Sequence, residues 1–131
     1  MSFPITDEEI AKSEAKSGFT FPTAFKKKMS RMNGGEVAVA GDTWVLYPFF
    51  DQSDRKRLAR TCNDILRESA QMRQWQGFPV GAFAIASNGC GDCLFLMPDH
   101  DGSHVLGETI FRFDHETGES EPVASSITAC K

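Results

Sequence analysis

Apolar positions along this chain keep a helical spacing near the N-terminus, alternate near the C-terminus, and mix the two in between. Thr6-Asp7-Glu8-Glu9 has the form of a capping box, in which Thr6 accepts from the Glu9 amide and Glu9 reaches back, with Ile5 and Ile10 at staple positions. A helix is expected from there to about Gly18, whose missing Cβ permits the left-handed conformation that ends helices. Pro22 suits the first turn of a second helix, and Phe25, Met29 and Met32 give it one apolar stripe before Asn33-Gly34-Gly35 stops it.

Val37 to Ala40 and Thr43 to Phe50 read as strands joined through Gly41-Asp42. A third, longer helix is expected from about Ser53 to Trp75, with Leu58, Cys62, Ile65, Leu66, Ser69 and Met72 on one face and Cys62 as a small core residue. Gly77-Phe78-Pro79 breaks it. Ala82 to Ala86 sets small alanines against Phe83 and Ile85, the pattern of a strand with something packed closely over one face. Leu94 to Met97 is apolar on both faces and reads as a central strand, Thr109 to Phe113 alternates, Glu116 to Glu119 turns the chain, and Val123 opens a weak final segment. Helices that precede a run of strands with short turns predict a single α+β domain over 1–131: an antiparallel sheet with N-terminal helices and one longer helix packed on it.

Composition narrows the function classes. The 131 residues suffice for one sizeable core, and no apolar run approaches the roughly 20 residues a bilayer span needs. Met1-Ser2-Phe3-Pro4 has no signal-peptide character, so the cytoplasm is the expected location, and four cysteines are too few for a disulfide scaffold. The net charge of −4 is unevenly spread: residues 1–35 carry +2, residues 36–85 are neutral, and residues 86–131 carry −6. That balance argues against nucleic-acid binding, which needs cations for phosphates, and leaves an acidic C-terminal third able to attract a basic partner.

The stretch with most candidate chemistry is Ser87 to Asp101, SNGCGDCLFLMPDHD. Cys90 and Cys93 have redox spacing, but Cys93 leads into strand composition instead of the helix N-terminus that lowers a thiol pKa. Zinc would need a second ligand pair, and Cys62 and Cys130 do not supply one at a suitable spacing. His100 and His104 sit in a loop, and Asp99, Asp101 and Gly102 place the glycine wrongly for a calcium-binding loop. No Gly-x-Ser-x-Gly or phosphate-binding glycine loop occurs. Asn88-Gly89 and Gly91 read instead as a turn between strands, with Asp92 bonding that turn's amides or pointing outward as a binding carboxylate. On this reading both Cys90 and Cys93 are dispensable, and no cofactor or metal is expected.

The order of motifs resembles the SUKH superfamily, which includes bacterial immunity proteins of polymorphic toxin systems and fungal regulators of cell-wall assembly. The resemblance runs through Ile10, Glu14 and Gly18, then Phe21-Pro22, Phe25, Met29 and Asn33-Gly34-Gly35, and resumes with Phe78-Pro79, Ile85-Ala86, Gly89, Gly91-Asp92 and Phe113-Asp114-His115-Glu116. Phe21 stands where leucine is usual, Phe113 where tryptophan is common, and the last nine residues lack the aromatic closing helix of many members.

The resemblance implies a non-catalytic domain that binds other proteins. With the acidic third, it points to an immunity protein that masks a toxin domain, a basic nuclease being one such toxin, through Asp92, Asp99, Asp101, Asp114 and Glu116. The alternatives are a regulatory interaction module without a toxin partner and a small thiol- or metal-dependent enzyme built on the Cys90/Cys93 loop.

Overall fold

The computed structural model describes residues 3–130; Met1, Ser2 and Lys131, the ends of the expected domain, lie outside the described residues. Helix α1 (Asp7–Ser17) is capped by Thr6, whose hydroxyl accepts from Glu9 N at 3.3 Å, and it ends on left-handed Gly18. Only half of the expected capping box forms. The buried Glu9 carboxylate turns away from Thr6 to accept from Gln52 N at 3.0 Å and to pair with Lys12 at 2.6 Å, tying α1 to the chain beyond the first hairpin. Helix α2 (Thr23–Arg31) follows Pro22 and buries Phe25 and Met29. Met32, assigned to the same stripe, is extended and half exposed, because the helix has already ended.

Strands β1 (Glu36–Val39) and β2 (Asp42–Leu46) form the expected hairpin, with its turn one residue earlier than the composition suggested. Ala40 and Gly41 take φ of 55° and 75°, the pair of positive values that matches a two-residue turn to strand twist. The second strand stops at Leu46 and not at Phe50, since Pro48 has no N–H for the ladder. Asn33 takes over there: its side chain donates to Phe49 O and accepts from Phe49 N, both at 2.8 Å and both buried.

The single long helix is not observed. Helix α3 (Arg55–Arg60) and helix α4 (Ile65–Met72) are separate, each opened by its own aspartate cap, Asp54 and Asp64. Between them the Thr61 hydroxyl bonds Arg57 O and Asp51 N, closing the first helix and fixing the loop before it. Helix α3 buries no residue, so Leu58 and Cys62, expected in the core, are exposed.

Strands β3 (Phe83–Ser87), β4 (Cys93–Leu96), β5 (Ile110–Phe113) and β6 (Ser120–Ala124) complete a six-stranded antiparallel meander in the order β1 to β6. The last strand begins before Val123, and a 3-10 turn at Ile127–Ala129 follows it. The protein is thus a single α+β fold. In β4 all four residues are buried, as its double-faced apolar composition requires. Strand β2 pairs with β3 over Leu46↔Ala86 and Val45↔Ser87, with one further bond from Tyr47 N to Ile85 O at 2.8 Å. Along the rest of β3, α4 takes its place: Ser69 Oγ accepts from Ala84 N at 2.8 Å, and Arg73 donates to Ala82 O at 3.1 Å. These bonds to the backbone set α4 along the edge of β3, whereas the small alanines suggested a neighbour over one face of the strand.

Two aromatic clusters bind the layers. Phe19, Phe21, Phe25, Phe49 and Phe83 join the N-terminal helices to the sheet, and Trp75, Phe78, Phe95 and Phe113 join the chain after α4 to β4 and β5.

Candidate functional site at the acidic end of the sheet

In a meander, alternate connections fall at the same end. The β1–β2, β3–β4 and β5–β6 turns therefore share one end of this sheet, and the β4–β5 loop lies at the other. The five candidate carboxylates are divided accordingly. Asp92, Asp114 and Glu116 lie together at the first end, while exposed Asp99 and Asp101 lie at the opposite one, where Asp99 pairs with His100 at 2.8 Å.

Asp92 neither caps its own turn nor points outward. It is 8% exposed, and its two oxygens are divided between strand β5 and the turn that follows it: Oδ2 accepts from Arg112 Nη2 at 2.7 Å, and Oδ1 meets His115 Nδ1 at 2.6 Å and accepts from His115 N at 3.2 Å. Burial pushes its carboxyl pKa up, but the bonds from Arg112 and His115 outweigh burial and hold it at about 2. The hydrogen bond to Asp92 raises the His115 pKa in turn. The Arg112 guanidinium sits 5.5 Å from the ring centroid of fully buried Trp44, so the ion pair also anchors the sheet's aromatic interior. Gly91 makes the arrangement possible. Its φ is +100°, and a Cβ there would meet the His115 ring at 2.9 Å.

The β5–β6 turn is held by Asp114, whose Oδ1 accepts from Glu116 N at 2.9 Å, leaving Glu116 exposed at the tip. Asp42 extends the acidic end by accepting from Asn88 Nδ2 at 3.0 Å. Trp75 also belongs here. It rests on Phe113 with centroids 6.0 Å apart and stays 38% exposed, while Gly77 packs so closely against the β5–β6 turn that a Cβ there would meet Gly118 O at 2.8 Å. In the sequence Trp75 reads only as the end of a helix. Its signal was a large aromatic among polar residues, Gln74-Trp75-Gln76, which an ordinary core position does not show.

Charge is segregated on a larger scale. Twelve of the fourteen Lys and Arg residues lie on the helices or at Arg73 just beyond α4, facing eight acids in the same segments and their flanks. The sheet and its loops hold ten acids and, among the described residues, one Arg or Lys, Arg112.

Asp92, Asp114 and His115 could offer ligand atoms within 4.8 Å of one another. Both Asp92 oxygens are already committed, however, so a cation there would compete with Arg112 for the same carboxylate. The cysteine loop offers little nucleophilic chemistry. Cys93 is fully buried and burial pushes its thiol up to about 12, so almost no thiolate exists at neutral pH, while Cys90 is exposed on the loop. The two cysteines are therefore not equally dispensable, contrary to the expectation from the turn alone. Cys90→Ser is expected to leave the urea midpoint within roughly 0.5 kcal/mol of the parent. Cys93→Ser, which places a hydroxyl in the apolar interior, is expected to cost about 1 to 3 kcal/mol in the same titration.

No curated protein matches the chain. The family model for the SMI1 / KNR4 family (SUKH-1) matches residues 4–130, a span that takes in every helix and strand described above as well as the Asp92 ion-pair cluster, and the chain belongs to that family.

Proposed function

We propose that this is a non-catalytic protein-binding domain, and specifically a bacterial immunity protein that binds a basic toxin domain in the cytoplasm and masks the surface on which it acts. Family membership supports the binding role. The observation that carries the finer reading is the concentration of acids on the sheet around a partly exposed tryptophan. Asp114, Glu116, Glu119 and Glu121 lie on or beside the β5–β6 turn against which the Trp75 loop packs. Acids steer a basic partner into encounter, and a half-buried aromatic supplies the kind of anchor that carries much of an interface's affinity. Asp92 serves this surface from beneath, by fixing the turn that displays Asp114 and Glu116. Asp99 and Asp101, at the far end of the sheet, would require a partner that wraps the domain.

The test is protection. The gene beside this one is expected to encode a secreted protein with a variable C-terminal domain. That domain, expressed in the cytoplasm, should arrest growth, and co-expression of this chain should relieve the arrest. A neighbourhood without such a gene, or an arrest that the chain does not relieve, would remove the immunity reading.

A further inference from the structure

The C-terminal end of α1, helix α4 and the start of β3 line an open groove of about 390 Å³, with Lys16, Phe19, Leu66, Arg73, Gly81 and Phe83 among its walls. Its charge differs from that of the other grooves. The one between α1 and α2 sets Asp7 and Glu14 against Lys26 and Lys27, and the one beside β6 sets Asp114, Glu119 and Glu121 against Arg112. Here no carboxylate lines the walls, and among the described residues neither Lys16 nor Arg73 has a carboxylate within ion-pair distance.

Arg73 is held in place. One of its terminal nitrogens donates to Ala82 O at 3.1 Å, and its Cζ lies 4.7 Å from the centre of the Phe83 ring. Arg73 is exposed at the rim of the groove, and the partial burial of its guanidinium lowers its pKa towards release of the proton, with no ion-paired carboxylate to oppose this among the described residues. A guanidinium carries five N–H donors, and among the described residues this one makes a single hydrogen bond, so most of its donors remain for water or a ligand. Phe19, only partly buried, meets the Phe83 ring edge-on at 5.1 Å and adds an aromatic wall.

We propose that this groove is a binding site for a small oxyanion carried on an aromatic body: the oxyanion takes the free donors of Arg73 and the charge of Lys16, and the ring packs against Phe19. The volume is in the range of small-ligand sites, and a side chain already immobilised by Ala82 and Phe83 loses little entropy on binding. The site is separate from the acidic end of the sheet and does not depend on the immunity reading.

Calorimetric titration of the full chain with phenyl phosphate, inorganic phosphate and phenol tests it. Phenyl phosphate is expected to bind saturably, at least about tenfold more tightly than inorganic phosphate, with no binding of phenol. Arg73→Gln should abolish binding, and Lys16→Gln, at an exposed position that folding does not need, should weaken it several-fold at an unchanged thermal midpoint. AMP and phosphotyrosine then separate the two sources of such a group, and tighter binding of either than of inorganic phosphate supports the site. A purely structural Arg73 would lower the thermal midpoint on substitution while the parent bound none of these probes, and that result would overturn the proposal, as would equal binding by the parent and the Lys16→Gln/Arg73→Gln double variant.

Discussion

Asp92→Ala is expected to destabilise the protein by about 3 kcal/mol, read as a lower urea midpoint at unchanged slope. The substitution removes the acceptor of three hydrogen bonds at once and strands the Arg112 guanidinium over Trp44 without its anion. Asp92 is the buried partner of the pair, and the 28% exposure of the Arg112 side chain lets water meet part of its demand once the anion is gone, so the cost lies mainly in the lost hydrogen bonds. The same pair sets a pH dependence. The Asp92 pKa falls from 3.8 in the unfolded chain to about 2 in the folded one, so its contribution is complete above pH 4 and is lost as pH drops towards 2. The His115 pKa moves the other way, upward, so its contribution is present below its unfolded value of 6.5 and is lost as pH rises through the folded value. Stability measured against pH should therefore decline on both sides of the weakly acidic range, and both slopes should flatten in Asp92→Ala.

Asn33→Ala is expected to cost about 2 to 4 kcal/mol, by the same denaturation measurement. Its carboxamide satisfies both the N–H and the C=O of Phe49, and removing it leaves two buried backbone groups unpaired beside the aromatic cluster. Pro48 prevents the strand from continuing and pairing those groups itself. A change within roughly 0.5 kcal/mol would show that another polar group replaces the amide.

The sequence reveals these two residues only in part, and for the same reason. Asn33 reads as a helix stop and Asp92 as a turn residue, both local roles, while their actual partners lie 16, 20 and 23 positions further along the chain. Local signals are legible: Thr6 caps, Gly18 terminates, and Glu116 to Glu119 turns because the chemistry acts within a few residues. The split of the third helix was legible too. The periodicity of Leu58, Ile65 and Met72 runs on through the gap, but Asp64 at the head of Ile65–Met72 is a favoured N-cap residue, and here its carboxylate accepts from Leu66 N and Arg67 N to start a new helix. The five acids look alike in sequence, and only strand order divides them between opposite ends of the sheet. Trp75 comes to the acidic end through the close approach of Gly77 and Gly118, a contact that no pattern in either segment announces.

The binding account is tested most directly by the association rate between this chain and the partner proposed for it, the C-terminal domain expected from the neighbouring gene, followed by stopped flow from low to high salt. Exposed charges attract over a Debye length of about 8 Å at physiological ionic strength, and salt shortens that reach. The rate is predicted to fall as salt rises. Asp114→Asn with Glu116→Gln, which nearly preserves shape on the β5–β6 turn, should lower the rate at low salt and flatten the slope, with little change at high salt. No complex with that domain, or the same salt slope for the parent and the double variant, would contradict the claim that the acidic end of the sheet steers this protein to its partner.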